Sequence, residues 1–117
     1  AATEINQGFP KFIYNKIKKK FKNKLKIKRI GILGIAFKSD IDDVRDSLSI
    51  DLLNFLSKKG LRVHISDPYV KMKGIIEKNK LIKLSDIIIL GAPHSSYKKI
   101  KIPKNKFLVD SWEFFEK

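Results

Sequence analysis

A chain of 117 residues with 43% apolar and 10% aromatic side chains is long and apolar enough for one globular domain with a real core, which excludes a disordered chain. The absence of cysteine excludes a disulfide framework, a thiolate metal site and a cysteine nucleophile within these residues, and no apolar run approaches the roughly 18 residues that span a bilayer. The net charge of +14 invites a nucleic-acid reading, but residues 1–29 carry ten Lys/Arg against one Glu, and Lys outnumbers Arg 23 to 3, so a solvated basic face is expected instead.

In chain order, Ile5, Phe9, Phe12, Ile13, Ile17 and Phe21 recur at three- and four-residue steps and form one apolar stripe of a helix. Pro10 interrupts the stripe, so two helical pieces joined near Gly8 to Pro10 are expected. The following Leu25-Lys26-Ile27-Lys28 alternates and leads toward a strand. Arg29 to Leu33 has the β-branched, uncharged composition of a short buried strand, and Gly34 permits a tight turn and close backbone approach to a ligand at its end. A polar loop leads to a helix that starts at Ser47, a capping residue, and stops at Gly60, with Ile50, Leu52, Leu53 and Leu56 toward the sheet. Leu61 to Ser66 is a second strand nearer an edge, ending at Asp67-Pro68-Tyr69, where the acid either caps a turn or bonds a ribose hydroxyl.

A short helix is expected over Met72 to Asn79, and a small strand or turn over Leu81 to Leu84. Asp86 to Gly91 reads as a central strand buried on both faces, followed by a loop with His94 and Tyr97, a short helix, and a fourth strand over Phe107 to Asp110. Strands alternating with helices define an α/β class: a Rossmann-like three-layer α/β/α sandwich with a mostly parallel sheet, preceded by an N-terminal helix. His64 and His94 form no ligand cluster, and Asp40, Asp42, Asp43 and Asp46 lack the Asp-x-Asp-x-Asp-Gly pattern, so no metal is expected.

Gly31-x-x-Gly34-x-Ala36 departs from the dinucleotide fingerprint Gly-x-Gly-x-x-Gly. In contrast, Gly34-Ile35-Ala36-Phe37-Lys38, Asp42-Asp43-x-Arg45-Asp46-Ser47, Gly60-x-x-Val63 and Asp67-Pro68-Tyr69-Val70 resemble, in order and spacing, the carboxyl-terminal UDP-binding domain of the UDP-glucose/GDP-mannose dehydrogenase family. Ile5-Asn6 with Pro10 is similar to the end of the long helix of that family's central domain, and Ala92-Pro93-His94 through Val109-Asp110 extends the resemblance forward. It implies residues 1–27 as the tail of the central helical, dimerising region and residues 28–117 as the UDP-binding α/β domain.

The resemblance further implies an NAD-dependent enzyme that oxidises the C6 alcohol of a UDP-sugar to a carboxylate, toward cell-surface polysaccharide. The glycine fingerprint and the cysteine nucleophile are expected upstream of Ala1, leaving no catalytic residue here. Phe37, Lys38 and Gly34 are implied to line the UDP-sugar site, with Arg45 facing NAD. Asp110-Ser111-Trp112 puts Trp112 where the family has an Arg, and its indole is suited to stacking on a base or ribose. The implied partners are a UDP-sugar, the upstream domains and a second copy through the N-terminal helix; with no signal peptide visible the expected location is the cytoplasm, and neither nucleic acid nor membrane is expected as a partner. Rival readings are a free-standing Rossmann-like regulatory module and a basic adaptor for nucleic acid or anionic membrane.

Overall fold

The fold is described from a computed structural model, over residues 2–36, 40–45 and 47–110, with side chains from residue 8 onward. Helix α1 (Ala2–Phe21) is followed by a 3-10 segment (Lys22–Ile27), strand β1 (Arg29–Leu33), helix α2 (Leu48–Lys58), strand β2 (Arg62–Ser66), helix α3 (Lys78–Leu84), strand β3 (Ile87–Leu90), a 3-10 turn (Ser95–Lys99) and strand β4 (Phe107–Val109). The four strands form one parallel sheet in the order β2-β1-β3-β4, with Ile32 opposite Ile65 on one side and Ile89 on the other. All carboxyl ends therefore lie on one edge. The loops after Leu33, Ser66 and Leu90 meet there.

Period-two alternation divides the apolar residues between two faces. Ile30, Ile32, Ile87, Ile89 and Val109 bury on one face with Leu52 and Leu56 of α2 and Ile13 and Ile17 of α1. Leu33, Ile88 and Leu90 bury on the other with Leu81 and Ile82 of α3 and with Tyr97. This is the three-layer arrangement expected from the alternation of strands and helices. Ser47 caps α2 as expected, its hydroxyl accepting from Ile50 N at 3.3 Å, and Gly60 takes the left-handed conformation at φ +80° beyond the helix end.

Five local expectations are corrected. Helix α1 runs unbroken through Pro10, which is buried, so two helical pieces are not observed. A proline removes one main-chain bond, and the burial of Ile13 and Ile17 on the apolar face offsets that loss. Phe12 leaves the stripe and is 61% exposed. The alternating Leu25-Lys26-Ile27-Lys28 belongs largely to the 3-10 segment: Leu25 is buried while Ile27 is 76% exposed. The third helix lies at Lys78–Leu84 rather than Met72 to Asn79. Gly74 at φ +94° turns the chain before it, and the Glu77 carboxylate caps it by accepting from Asn79 N and Lys80 N. The apolar Leu81-Ile82-Lys83-Leu84, expected as strand or turn, is the packing face of that helix.

Candidate functional site

The carboxyl edge of the sheet is organised by two glycines and a buried carboxylate. Gly34, at φ +88°, follows β1 and donates its N–H to Ser66 O at 2.7 Å. A Cβ there would meet Ala92 O at 2.7 Å, so the loops after β1 and β3 touch through backbone. A Cβ on Gly91 would in turn strike Gly34 O and Ser49 Oγ. Glycine is required at both positions by close approach and, at Gly34, by the sign of φ.

Asp67, at the end of β2, holds three loops together. Its Oδ1 accepts from Tyr69 N at 2.8 Å and Val70 N at 3.0 Å, closing the turn at Pro68. Its Oδ2 accepts from Ile35 N at 2.8 Å and Ala36 N at 3.1 Å and contacts His94 Nε2 at 2.9 Å. Burial alone would raise the pKa of Asp67, but the hydrogen bonds from His94, Tyr69, Ile35 and Val70 outweigh it and lower the value to about 2. The turn-capping role is thus observed, and the two oxygens are saturated by five donors. No lone pair is left for a ribose hydroxyl.

His94, fully buried, extends this network. Its Nδ1 accepts from Asp40 N at 2.8 Å, which assigns the ring proton to Nε2 and orients that proton toward Asp67. Asp40 sits in the left-handed region at φ +60°, and its carboxylate accepts from Ser95 N at 2.8 Å and Ser95 Oγ at 2.5 Å. The hydroxyl bond from Ser95 comes first among the causes that hold the Asp40 pKa below its ordinary value. Ser47 adds a further tie, donating from Oγ to Ile35 O at 2.7 Å. The loop leaving β1 is therefore pinned at Ile35 and Ala36 on one side and at Asp40 on the other.

The expected site residues separate on this frame. Gly34 lies at the strand end in contact with Ala92, whereas Phe37, Lys38 and Trp112 lie outside the described residues. Phe37 and Lys38 fall, by sequence, between the two pinned ends of the loop. Arg45 is on the surface and forks onto Asp43, with Nε at 3.1 Å from Oδ1 and Nη2 at 2.8 Å from Oδ2. That pairing lowers the pKa of Asp43 to about 2. Asp43 is thus a partner of this guanidinium. Among the described residues no group of three or more His, Cys, Asp or Glu side chains is arranged to hold a metal ion, and no helix is long and apolar enough to cross a membrane.

A principal dinucleotide site does not fit this domain. The fingerprint glycines are absent, and the acid at the end of β2 is consumed internally rather than presented to a ribose. Sequence reasoning missed Asp40, Ser95 and Gly91 and underrated His94. The available signal was topological: Asp67-Pro68 and Ala92-Pro93-His94 both directly follow strands, so a parallel sheet brings them to one edge.

Fold and site together define a Rossmann-like ligand-binding domain whose strand-end loops are tied by a carboxylate and an imidazole. The chain belongs to the UDP-glucose/GDP-mannose dehydrogenase family, with residues 31–117 matching that family's UDP binding domain. It is 32% identical over 114 residues to a UDP-N-acetyl-D-mannosamine dehydrogenase of Campylobacter jejuni, a match that covers 88% of this chain and 28% of the relative. It is 30% identical over 123 residues to the protein of the same name from Methanococcus aeolicus, covering 93% of this chain and 28% of the relative. Its backbone superposes with a TM-score of 0.80 at 21% identity on the UDP-N-acetyl-mannosamine dehydrogenase of Staphylococcus aureus, covering 97% of this chain and 29% of that one, a likeness of fold. The chain thus spans a little over a quarter of the length of these relatives.

Proposed function

We propose that this chain is the UDP-sugar-binding domain of an NAD-dependent nucleotide-sugar 6-dehydrogenase that oxidises a C6 alcohol to a carboxylate for polysaccharide precursors. The observation that carries this reading is the double pinning of the loop after β1, through Ala36 N to Asp67 and Asp40 N to His94. Ala36 and Asp40, which flank Phe37 and Lys38 in sequence, are thereby fixed at the carboxyl edge of a parallel sheet, where such folds bind ligands. Lys38 supplies a cation for the diphosphate or sugar oxygens, Phe37 and Gly34 shape the wall, and Trp112 stacks on the base or ribose.

NAD supplies the hydride acceptor and is held mainly by a domain outside these 117 residues, as is the nucleophile, since the chain has no cysteine. Arg45 faces the cofactor from this side, with Asp43 fixing its guanidinium. Residues 1–27 are the tail of the central helical region and 28–117 the binding domain proper. Phe12, exposed on α1, supports a contact there with upstream domains or a second copy in a homodimer. We place the enzyme in the cytoplasm, without nucleic-acid or membrane partners.

A thermal-shift screen tests the reading. UDP should raise the melting temperature of the chain, while NAD leaves it unchanged, and the chain alone should not reduce NAD with any UDP-sugar. A shift with NAD equal to that with UDP would favour a free-standing dinucleotide module.

A further inference from the structure

On the α3 side of the sheet, two clefts share Lys78 in their linings. The first, about 370 Å3, opens beyond the end of β2 and is walled by Pro68, Ile75 and Ile76, with Tyr97 contributing to its lining. The second, about 420 Å3, is lined by Lys78, Lys99 and Lys101 with Ser96 and Asn79, and no acidic residue borders it. The first presents a mainly apolar surface. The other is cationic.

Tyr97 is fully buried, yet its hydroxyl has no hydrogen-bond partner. An orphaned buried hydroxyl is costly and rare, and a ligand acceptor would satisfy it. Burial pushes the Tyr97 pKa up, so the group remains a donor throughout the physiological range. The acids at the first cleft are already engaged: Asp67 by its five donors, and Glu77 by the Asn79 and Lys80 N–H groups. Neither competes for a ligand donor, and both disfavour an anion in the first cleft, which directs negative charge toward the lysines of the second.

We propose that these neighbouring clefts form a second nucleotide site, the base lying between Pro68 and Ile76 against the Tyr97 hydroxyl and the phosphates lying among Lys78, Lys99 and Lys101. The site is separate from the one that Lys38 is proposed to serve. Its ligand is a nucleoside phosphate, recognised by a flat ring bearing an acceptor and by a phosphate chain.

Calorimetric titrations of ADP and of UDP against the full chain test this in three variants. Tyr97→Phe removes an unpaired group, so the melting temperature should hold or rise while affinity at this site falls about fivefold to tenfold. The double variant Lys99→Ala/Lys101→Ala should weaken it about 10- to 100-fold, and Lys38→Ala by less than about twofold. A tighter fit for either nucleotide identifies the preferred base. If neither nucleotide shows a binding event that responds to Tyr97→Phe and to the lysine pair but not to Lys38→Ala, the site does not exist. Loss of binding in Lys38→Ala alone would leave the proposed UDP site standing and remove this one.

Discussion

His94 Nε2 lies 2.9 Å from Asp67 Oδ2 in a fully buried contact, and the other ring nitrogen of His94 accepts from Asp40 N at 2.8 Å. One imidazole therefore couples the end of β2 to the far side of the loop that leaves β1. The donor on one nitrogen and the acceptor on the other make this coupling directional. Asp67→Asn should replace a charged acceptor with an amide whose NH2 opposes backbone donors. We expect a loss of about 3 kcal/mol in urea denaturation, together with increased amide exchange at Ile35 and Ala36.

The same carboxylate sets an acid limit. Asp67 titrates at about 2 in the folded chain against an ordinary 3.8. A lowered folded value contributes stability that is complete above the unfolded value and disappears as pH falls through the folded one. The contribution, about 2 kcal/mol, should therefore fade between about pH 4 and pH 2. Comparing the pH dependence of unfolding in the parent and in Asp67→Asn checks this. A variant that loses stability over that window as steeply as the parent contradicts it.

Gly34→Ala should destabilise by roughly 3 kcal/mol or more, because a side chain at φ +88° is strained and its Cβ meets backbone atoms of Ala92 that cannot move aside. Thermal melting of the variant measures the loss. A stability change within about 0.5 kcal/mol would mean that the loop contacts differ from those described.

Helix α1 is part of the core rather than an appendage. Ile17→Ala should cost about 2 to 5 kcal/mol, as expected for a fully buried isoleucine, whereas Phe12→Ala should change stability by less than about 0.5 kcal/mol. If the two variants behave alike in denaturant titrations, the docking of α1 on α2 is not maintained.

The elements that could be read from sequence are those specified by their own residues. Ile87 to Leu90 is apolar on both faces, as a central strand requires, and Ser47 and Gly60 mark the ends of α2 by their capping chemistry. What escaped reading depends on distant partners or on competing local signals. Leu81 to Leu84 is too short for periodicity to separate strand from helix, and Glu77 is an uncommon cap. The capping role of Asp67 is local, spanning Pro68 to Val70, but its bonds to Ile35 and Ala36 cross about thirty positions and follow only from the strand order. The left-handed Asp40 carried no sequence signal beyond the tolerance of aspartate for that conformation.

As proposed, Lys38 meets the diphosphate of bound UDP. A charge-assisted hydrogen bond of that kind contributes roughly 1.5 to 3 kcal/mol, so Lys38→Ala should weaken UDP binding about 10- to 100-fold. Lys18, exposed on α1, should matter little, because solvent and salt screen it. Calorimetry of UDP binding to the parent, Lys38→Ala and Lys18→Ala at one fixed salt concentration measures the difference. A selective loss in Lys38→Ala is the predicted result; equal losses in the two variants would reduce the interaction to nonspecific charge attraction and contradict the account.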